Sequence, residues 1–126
     1  MKKILIIEDD KNIRDNLFEI LTNEGFEVIQ TDNGKKGVEL AKSELPTLIL
    51  CDMQLPELNG LTILKLLKTS SATLKIPFIF ISGFSDRNLV IEGITGGAVD
   101  YIVKPFQMDR LINTINKAID NAVDRQ

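Results

Sequence analysis

Residues 48–60 read LILCDMQLPELNG, and the fold turns on how that stretch is read. Leu48, Ile49, Leu50 and Cys51 form a short apolar run suited to a buried strand, Asp52 is the acid at its end, and Pro56 and Gly60 bend the chain away. In an open sheet of parallel strands, ligands bind at the carboxyl ends of the strands. Aspartate is also a favoured turn residue. Taken alone, Asp52 supports a turn cap as readily as a chemical role.

Outward from this stretch the same alternation recurs. Upstream, residues 4–7 (ILII) have strand length, and Ile13, Leu17, Ile20 and Leu21 follow at helical spacing until Gly25. Residues 26–31, with Phe26, Val28 and Ile29, predict a second strand. Asn33-Gly34 marks a turn, and Val38, Leu40, Ala41 and Leu45 predict a weaker helical face that Pro46 stops. The third strand is expected over 47–51. Downstream, Leu61, Ile63, Leu64, Leu66 and Leu67 predict a strongly apolar third helix, residues 69–75 a loop, and residues 77–81 (PFIFI) a fourth strand. Ser85 or Asp86 is placed to cap a fourth helix carrying Leu89, Val90, Ile91 and Ile94, closed by Gly96-Gly97. Residues 100–103 predict a fifth strand, and Leu111, Ile115, Ala118, Ile119 and Ala122 stripe a closing amphipathic helix. Strands that are apolar throughout are buried on both faces. Five strand-helix units in strict alternation predict an α/β fold, a single parallel sheet with helices on both faces and right-handed crossovers.

Composition bounds the function. At 126 residues the chain suits one domain, 1–126, able to bury roughly two-thirds of its unfolded surface without metal or disulfide. Hydrophobic residues make up 44% and charged residues 26%, and no apolar run has the length to cross a bilayer. Met1-Lys2-Lys3 and the run 4–7 are cut short of a signal-peptide core by Glu8, Asp9 and Asp10, so a cytoplasmic protein is expected. The single cysteine, Cys51, lies in an apolar strand and reads as a buried structural thiol. A net charge of −3 argues against direct nucleic-acid binding. With no histidine, imidazole catalysis and imidazole metal ligation are excluded.

The predicted topology sends Glu8-Asp9-Asp10, Asp52, Ser82 and Lys104 to the carboxyl edge of the sheet, from the ends of strands one, three, four and five. Acids gathered without counter-charge repel one another and raise each other's proton affinity. A hard divalent cation, Mg²⁺ or Mn²⁺, resolves this through carboxylate and carbonyl oxygens, and Mg²⁺ commonly shares its shell with phosphate. Asp52 then suits a nucleophile that forms an acyl phosphate, with Lys104 neutralising charge on the phosphoryl oxygens and Ser82 hydrogen-bonding one of them. Individually, Lys104 reads equally well as a solvated lysine and Ser82 as a helix-entry residue. The combination at four strand ends is what favours phosphoryl chemistry.

Four segments carry a family resemblance: IIEDD, CDMQLPELNG, ISG and DYIVKPF. Over nearly its whole length the chain resembles a response regulator receiver domain of two-component signal transduction, in the chemotaxis-regulator-like superfamily. The resemblance implies a flavodoxin-like strand order of 2-1-3-4-5. It implies Asp52 as phosphoacceptor and a Mg²⁺ site built by Asp9 and Asp52, with Glu8 assisting through water and the Gln54 carbonyl completing the protein ligands. Ser82 and Tyr101 become the switch pair and Lys104 the phosphate-contacting cation, with a cis bond before Pro105. Asp10 falls one place beyond the acidic pair and reads as a cap or surface acid. The expected partners are a histidine kinase or histidine phosphotransfer protein as donor and a downstream target or effector. A phosphorylation-dependent dimer through apolar residues such as Ile91 or Val123 is one further form of output.

Three other readings are weaker. An aspartate-nucleophile phosphatase of the haloacid-dehalogenase type needs a second acid two residues after the nucleophile, and that position is Gln54. A flavodoxin-like FMN carrier needs a phosphate loop after the first strand, where Glu8-Asp9-Asp10 repels an anion. A degenerate, partner-binding receiver would lack one of Asp9, Asp52, Ser82 or Lys104. Within the receiver reading, the chain is expected to act as a stand-alone regulator, or else as the receiver piece of a longer protein with a DNA-binding or enzymatic output domain. Glu8 stands where the family more often has Asp, and Gly83 where Ala is commoner. Phe84 and Gln54 fall at positions that border the phosphoryl group. Bulky, apolar Phe84 is expected to shield an acyl phosphate, so Phe84→Ala should lose its phosphoryl group faster than wild type; equal rates of loss would refute the shielding.

Overall fold

In the computed structural model, residues 1–83 and 87–124 are described, with side chains as far as residue 122. The apolar runs become strands β1 (Lys3–Ile7), β2 (Glu27–Thr31), β3 (Leu48–Asp52), β4 (Phe78–Ser82) and β5 (Asp100–Val103). Between and after them lie α1 (Lys11–Asn23), α2 (Gly34–Glu44), α3 (Gly60–Lys68), α4 (Arg87–Thr95) and α5 (Met108–Asp124). The strands form one sheet in the order β2-β1-β3-β4-β5, every pairing parallel. The chain steps from β1 to β2 on one side and then crosses to β3 on the other, so the order reverses at β1/β3. A crevice opens at the carboxyl ends of strands where the order reverses in this way.

Alternate side chains of each strand point to opposite faces, and the core divides accordingly. On one face Ile4, Ile6, Leu48, Leu50, Ile79 and Ile81 pack with Leu17 and Leu21 of α1 and Leu111 and Ile115 of α5. On the other, Leu5, Ile7, Ile49, Cys51, Phe78 and Phe80 pack with Ala41 of α2 and with Ile63, Leu64 and Leu67 of α3. Every residue of β3 and β4 is buried, whereas the edge strands β2 and β5 are only partly covered.

Helix ends follow local chemistry. Asp10 caps α1 by accepting from the N–H groups of Asn12 at 2.9 Å and Ile13 at 3.2 Å. Asn33 and Asn59 cap α2 and α3 in the same way, accepting at 2.9 Å from Lys36 and from Thr62. These side chains satisfy backbone donors that have no partner within the helix.

Three apolar expectations are corrected. Leu45, assigned to the buried face of α2, is 55% exposed: Pro46 disfavours helical backbone at the residue before it, and Leu45 leaves the helix with φ +46°. Leu66 is exposed because the helix turns about 100° per residue, which carries it outside the arc of Ile63, Leu64 and Leu67. Ile94 is exposed as well, and Gly93 is the one buried residue of α4; Ile91, offered for an interface, is 57% exposed. Strands three and four also run one residue further than their apolar cores, to include Asp52 and Ser82. The proposed α4 caps, Ser85 and Asp86, lie outside the described residues, as do Phe84 and the side chain of Val123. Among the described residues no helix is long and apolar enough to cross a membrane.

Phe80 shows how closely these layers approach. Its ring meets Phe78 edge to face, centroids 5.0 Å apart. On its other sides lie Gly93 of α4, where a Cβ would collide with the ring, and Gly60 at the start of α3. A Cβ on Gly60 would also stand 2.7 Å from the Asp52 carbonyl oxygen and 2.9 Å from the Met53 Cα. Those are backbone atoms that cannot swing aside. Gly60→Ala should therefore cost about 1–3 kcal/mol, the usual penalty for overpacking, and lower the urea midpoint; an unchanged midpoint would show that the loop from Asp52 to Gly60 yields freely.

Candidate functional site: an acidic pocket at the ends of β1 and β3

The register brings the strand ends level. Ile7 lies opposite Cys51, Asp52 opposite Ile81, and Ser82 opposite Val103. The residues just beyond, Glu8 and Lys104, therefore meet Asp52 across the top of the sheet.

Backbone ties hold each group. The Glu8 N–H continues the ladder to Thr31 O at 3.0 Å, the Met53 N–H donates to Ile81 O at 2.9 Å, and the Lys104 N–H donates to Ser82 O at 2.8 Å. The loop after β3 closes back on the strand through the Gly60 N–H on Met53 O at 3.0 Å. Met53 and Leu55 are buried beneath it. The Lys104–Pro105 peptide is cis.

Asp52 is 4% exposed, and both its carboxylate oxygens are engaged. Oδ1 accepts from the Gln54 N–H at 3.1 Å and Oδ2 from Lys104 Nζ at 3.1 Å. Oδ1 thus serves the turn after β3, while Oδ2 faces Lys104. Glu8 is fully buried; its Oε2 accepts from the Asp10 N–H at 3.1 Å, while Oε1 lies 3.3 Å from Lys104 Nζ without hydrogen-bond geometry. Asp9 is exposed, yet an oxygen from each of Glu8, Asp9 and Asp52 falls within a cluster no wider than 4.8 Å. Asp10 stands apart from the cluster, occupied with capping α1.

The electrostatics follow from crowding. Burial first, and then a hydrogen bond shared with Asp52, push the Glu8 carboxyl up to about 8, against the opposing pull of the Asp10 N–H and the Lys104 charge. The raised proton affinity has a simple cause: the pocket holds more negative charge than Lys104 balances. Burial opposes the Lys104 ammonium, but the charges of Asp52 and Glu8 outweigh it and hold its pKa above the ordinary lysine value. The Cys51 thiol is pushed up by burial and then by the same two acids, and it donates to Asp52 O at 3.3 Å. It stays protonated and structural.

The donor set fits a hard divalent cation. Three carboxylates converge with no imidazole or thiolate ligand, and hard oxygens select Mg²⁺, Ca²⁺ or Mn²⁺. A cation between Glu8, Asp9 and Asp52 would give Oε1 a second counter-charge beside Lys104. Ser82 is 1% exposed and its hydroxyl has no hydrogen-bond partner among the described residues. A buried hydroxyl without a partner calls for an explanation, and a ligand oxygen arriving beside Asp52 is one.

Tyr101 lies on the edge strand, 43% exposed, and shares with Ser82 a groove of about 580 Å³ between α4 and β5, lined also by Arg87, Ile91, Ile94 and Val103. One contributor was absent from the sequence reading. Arg14, in the second turn of α1, donates from Nη1 to Glu8 O at 2.8 Å and reaches Asp9 O at 3.5 Å. Its signal, a basic residue one helical turn beyond the acids, is too common to single out without coordinates.

Comparison with known proteins agrees with this geometry. Residues 4–116 match the response regulator receiver domain. The chain is 40% identical to the chemotaxis protein CheY of Bacillus subtilis (strain 168) over 119 residues, 94% of this chain and 98% of that protein. It is 36% identical to the cell cycle transcriptional regulator CtrA of Caulobacter vibrioides (strain NA1000 / CB15N), covering 93% of this chain and 50% of the regulator. Among solved structures, a response regulator receiver domain protein from Clostridium thermocellum superposes with a TM-score of 0.87 at 28% identity, covering 99% of this chain and 96% of that one. Fold, strand order, acidic pocket and sequence agree: the chain belongs to the response regulator receiver domain family of two-component systems.

Proposed function

We propose that this receiver works as a phosphorylation-operated switch, with Asp52 as the phosphoacceptor. The observation that carries the proposal is the setting of Asp52: a nearly buried carboxylate between the Lys104 ammonium and two further acids, with the unpartnered Ser82 hydroxyl at the end of the adjacent strand. An Asp52 oxygen attacks the phosphorus of a phosphohistidine on a histidine kinase or phosphotransfer protein. The new P–O bond forms as the P–N bond breaks, and the imidazole leaves with its electron pair. Lys104 neutralises charge on the phosphoryl oxygens, and Ser82 donates to one of them. Mg²⁺, or Mn²⁺ in its place, held by Asp9, Asp52 and the Gln54 carbonyl with Glu8 assisting, supplies further charge neutralisation when bound. Asp10 has no part in this.

Phosphorylation adds about −1.5 to −2 charge and three acceptor oxygens. Lys104 and Ser82 move toward it, and the Tyr101 ring turns into the groove behind Ser82. Ile91, Ile94, Tyr101, Val103 and Met108, all exposed, then change the face made by α4, β5 and α5. That face meets the downstream partner, be it a separate target, a second copy or an attached output domain. The two architectures in the comparisons match two forms of output, since the chain spans nearly all of CheY and half of CtrA. In either case residues 1–126 act as one receiver unit. We place it in the cytoplasm, and we assign it no turnover of external substrates, because Gln54 stands where a phosphatase needs an acid.

Two experiments test this reading. Incubation with acetyl phosphate and Mg²⁺ should give a single phosphate adduct by intact mass, abolished in Asp52→Asn; a wild-type protein that takes up no phosphate would refute it. The second uses the Glu8 carboxyl, whose proton affinity is raised in the fold to about 8 from an ordinary 4.5. Between those values the folded protein holds a proton that the unfolded chain has released, so this group's contribution to stability is full at low pH and is lost as pH rises. The metal-free protein should accordingly melt lower at pH 8.5 than at pH 5.5, values chosen roughly to bracket the titration. Mg²⁺ competes with the proton, so the melting increase it produces should be larger at the higher pH. Glu8→Gln should flatten both trends, and a wild type whose Mg²⁺ response is independent of pH would count against this account.

A further inference from the structure

We propose that Arg14 is a positioning residue for the acidic pocket, fixing the backbone from which Glu8 and Asp9 project and so setting the affinity for the divalent cation. The inference rests on the metal-site reading above. Glu8 and Asp9 lie beyond Ile7, the last residue of β1, where regular sheet pairing has ended. Two backbone ties hold the segment: the Glu8 N–H on Thr31 O at 3.0 Å, and the Asp10 N–H on Glu8 Oε2 at 3.1 Å. The second of these ends on a side chain rather than on the backbone. Arg14 adds a tie to the backbone carbonyl itself. Its Nη1 donates to Glu8 O at 2.8 Å and lies 3.5 Å from Asp9 O, while its own backbone N–H donates to Asp10 O at 2.9 Å. The first turns of α1 and the acidic segment are thereby closed into a ring running Glu8, Asp10, Arg14 and back to Glu8. Lys11, the other cation at the start of α1, is turned to Asp15 at 2.7 Å and takes no part.

Both carbonyl contacts come from the single Nη1 atom, which a rigid planar guanidinium holds at a fixed reach; a lysine ammonium is a point donor on a flexible stem and need not come to the same place. Groups that orient metal ligands typically change metal affinity by about 10–100-fold when removed. The bare charge of Arg14 acts in the opposite direction, because a cation near the pocket repels Mg²⁺. These opposed effects make the inference decidable.

The test is a Mn²⁺ titration of wild type, Arg14→Lys and Arg14→Met, with free Mn²⁺ read by electron paramagnetic resonance and Mg²⁺ added as competitor. The metal-free melting temperature of each variant is measured alongside. Positioning predicts that both variants bind Mn²⁺ more weakly by about 10-fold or more, Arg14→Lys included, although its charge is kept. Arg14→Lys within about twofold of wild type, or Arg14→Met binding more tightly, would overturn it and assign Arg14 a charge effect alone. A lowered melting temperature with unchanged Mn²⁺ affinity would also overturn it, since a merely structural arginine behaves so. Should one variant fail to fold, the other decides. A wild type that binds no Mn²⁺ would instead bring down the metal-site reading.

Discussion

Everything at the carboxyl edge of this sheet answers to one electrostatic constraint: three carboxylates converge where there is one lysine. Placing an isolated ion in a protein interior costs several kcal/mol even after relaxation, and Glu8 is fully buried. Lys104 offsets part of that cost through Asp52 at 3.1 Å and Glu8 at 3.3 Å, and the rest appears as the raised proton affinity of Glu8. Near neutral pH, taking up a proton is the cheaper solution for a metal-free pocket. A divalent cation bound there would replace that proton and supply two charges in its place.

Holding such a pocket together requires a rigid floor. β1 and β3 supply it, paired with each other and flanked by β2 and β4, with apolar side chains packed on both faces. The loop from Asp52 to Gly60 is pinned by buried Met53 and Leu55 and by the approach of Gly60 to the strand backbone. The opposite side of the sheet is built more loosely. β5 is an edge strand with one buried residue, and α4 meets the core through Gly93 against Phe80 and through the partly buried Leu89 and Val90. Few buried contacts give low local stability, and elements that move are drawn from that end of the range. The molecule thus joins a fixed acidic pocket to a lightly held α4 and β5.

Most of this was legible in the sequence, for reasons that differ from residue to residue. Five apolar runs separated by helical periodicity dictate a parallel sheet, and the strand ends then fall together by topology; no contact had to be foreseen. Asp10 as a cap was legible because its position, directly before a helical stripe, has a local meaning. Leu45, Leu66 and Ile94 were misjudged because apolarity alone does not say which residues face inward when a helix is short. The arc buried by α3, and the dependence of α4 on Gly93, are properties of packing rather than of periodicity. Arg14 and the burial of Glu8 were invisible for another reason: both arise where β1 passes into α1, from side chains that fold back on the backbone.

Glu8 Oε1, ion-paired with Lys104 at 3.3 Å but without a hydrogen bond, and Ser82 Oγ, without one among the described residues, share a physical sense. A buried polar atom without a partner costs about 1–3 kcal/mol, and a fold selected only for stability would replace Glu8 and Ser82 with apolar residues of similar size. Glu8 is adjacent to the cluster that suits a cation, and Ser82 follows Ile81, the strand neighbour of Asp52. An oxygen-rich, metal-bound ligand would bring each a partner. A ligand that supplied those partners would favour the state that binds it, and a ligand shifts an equilibrium only by as much as it favours one state over the other.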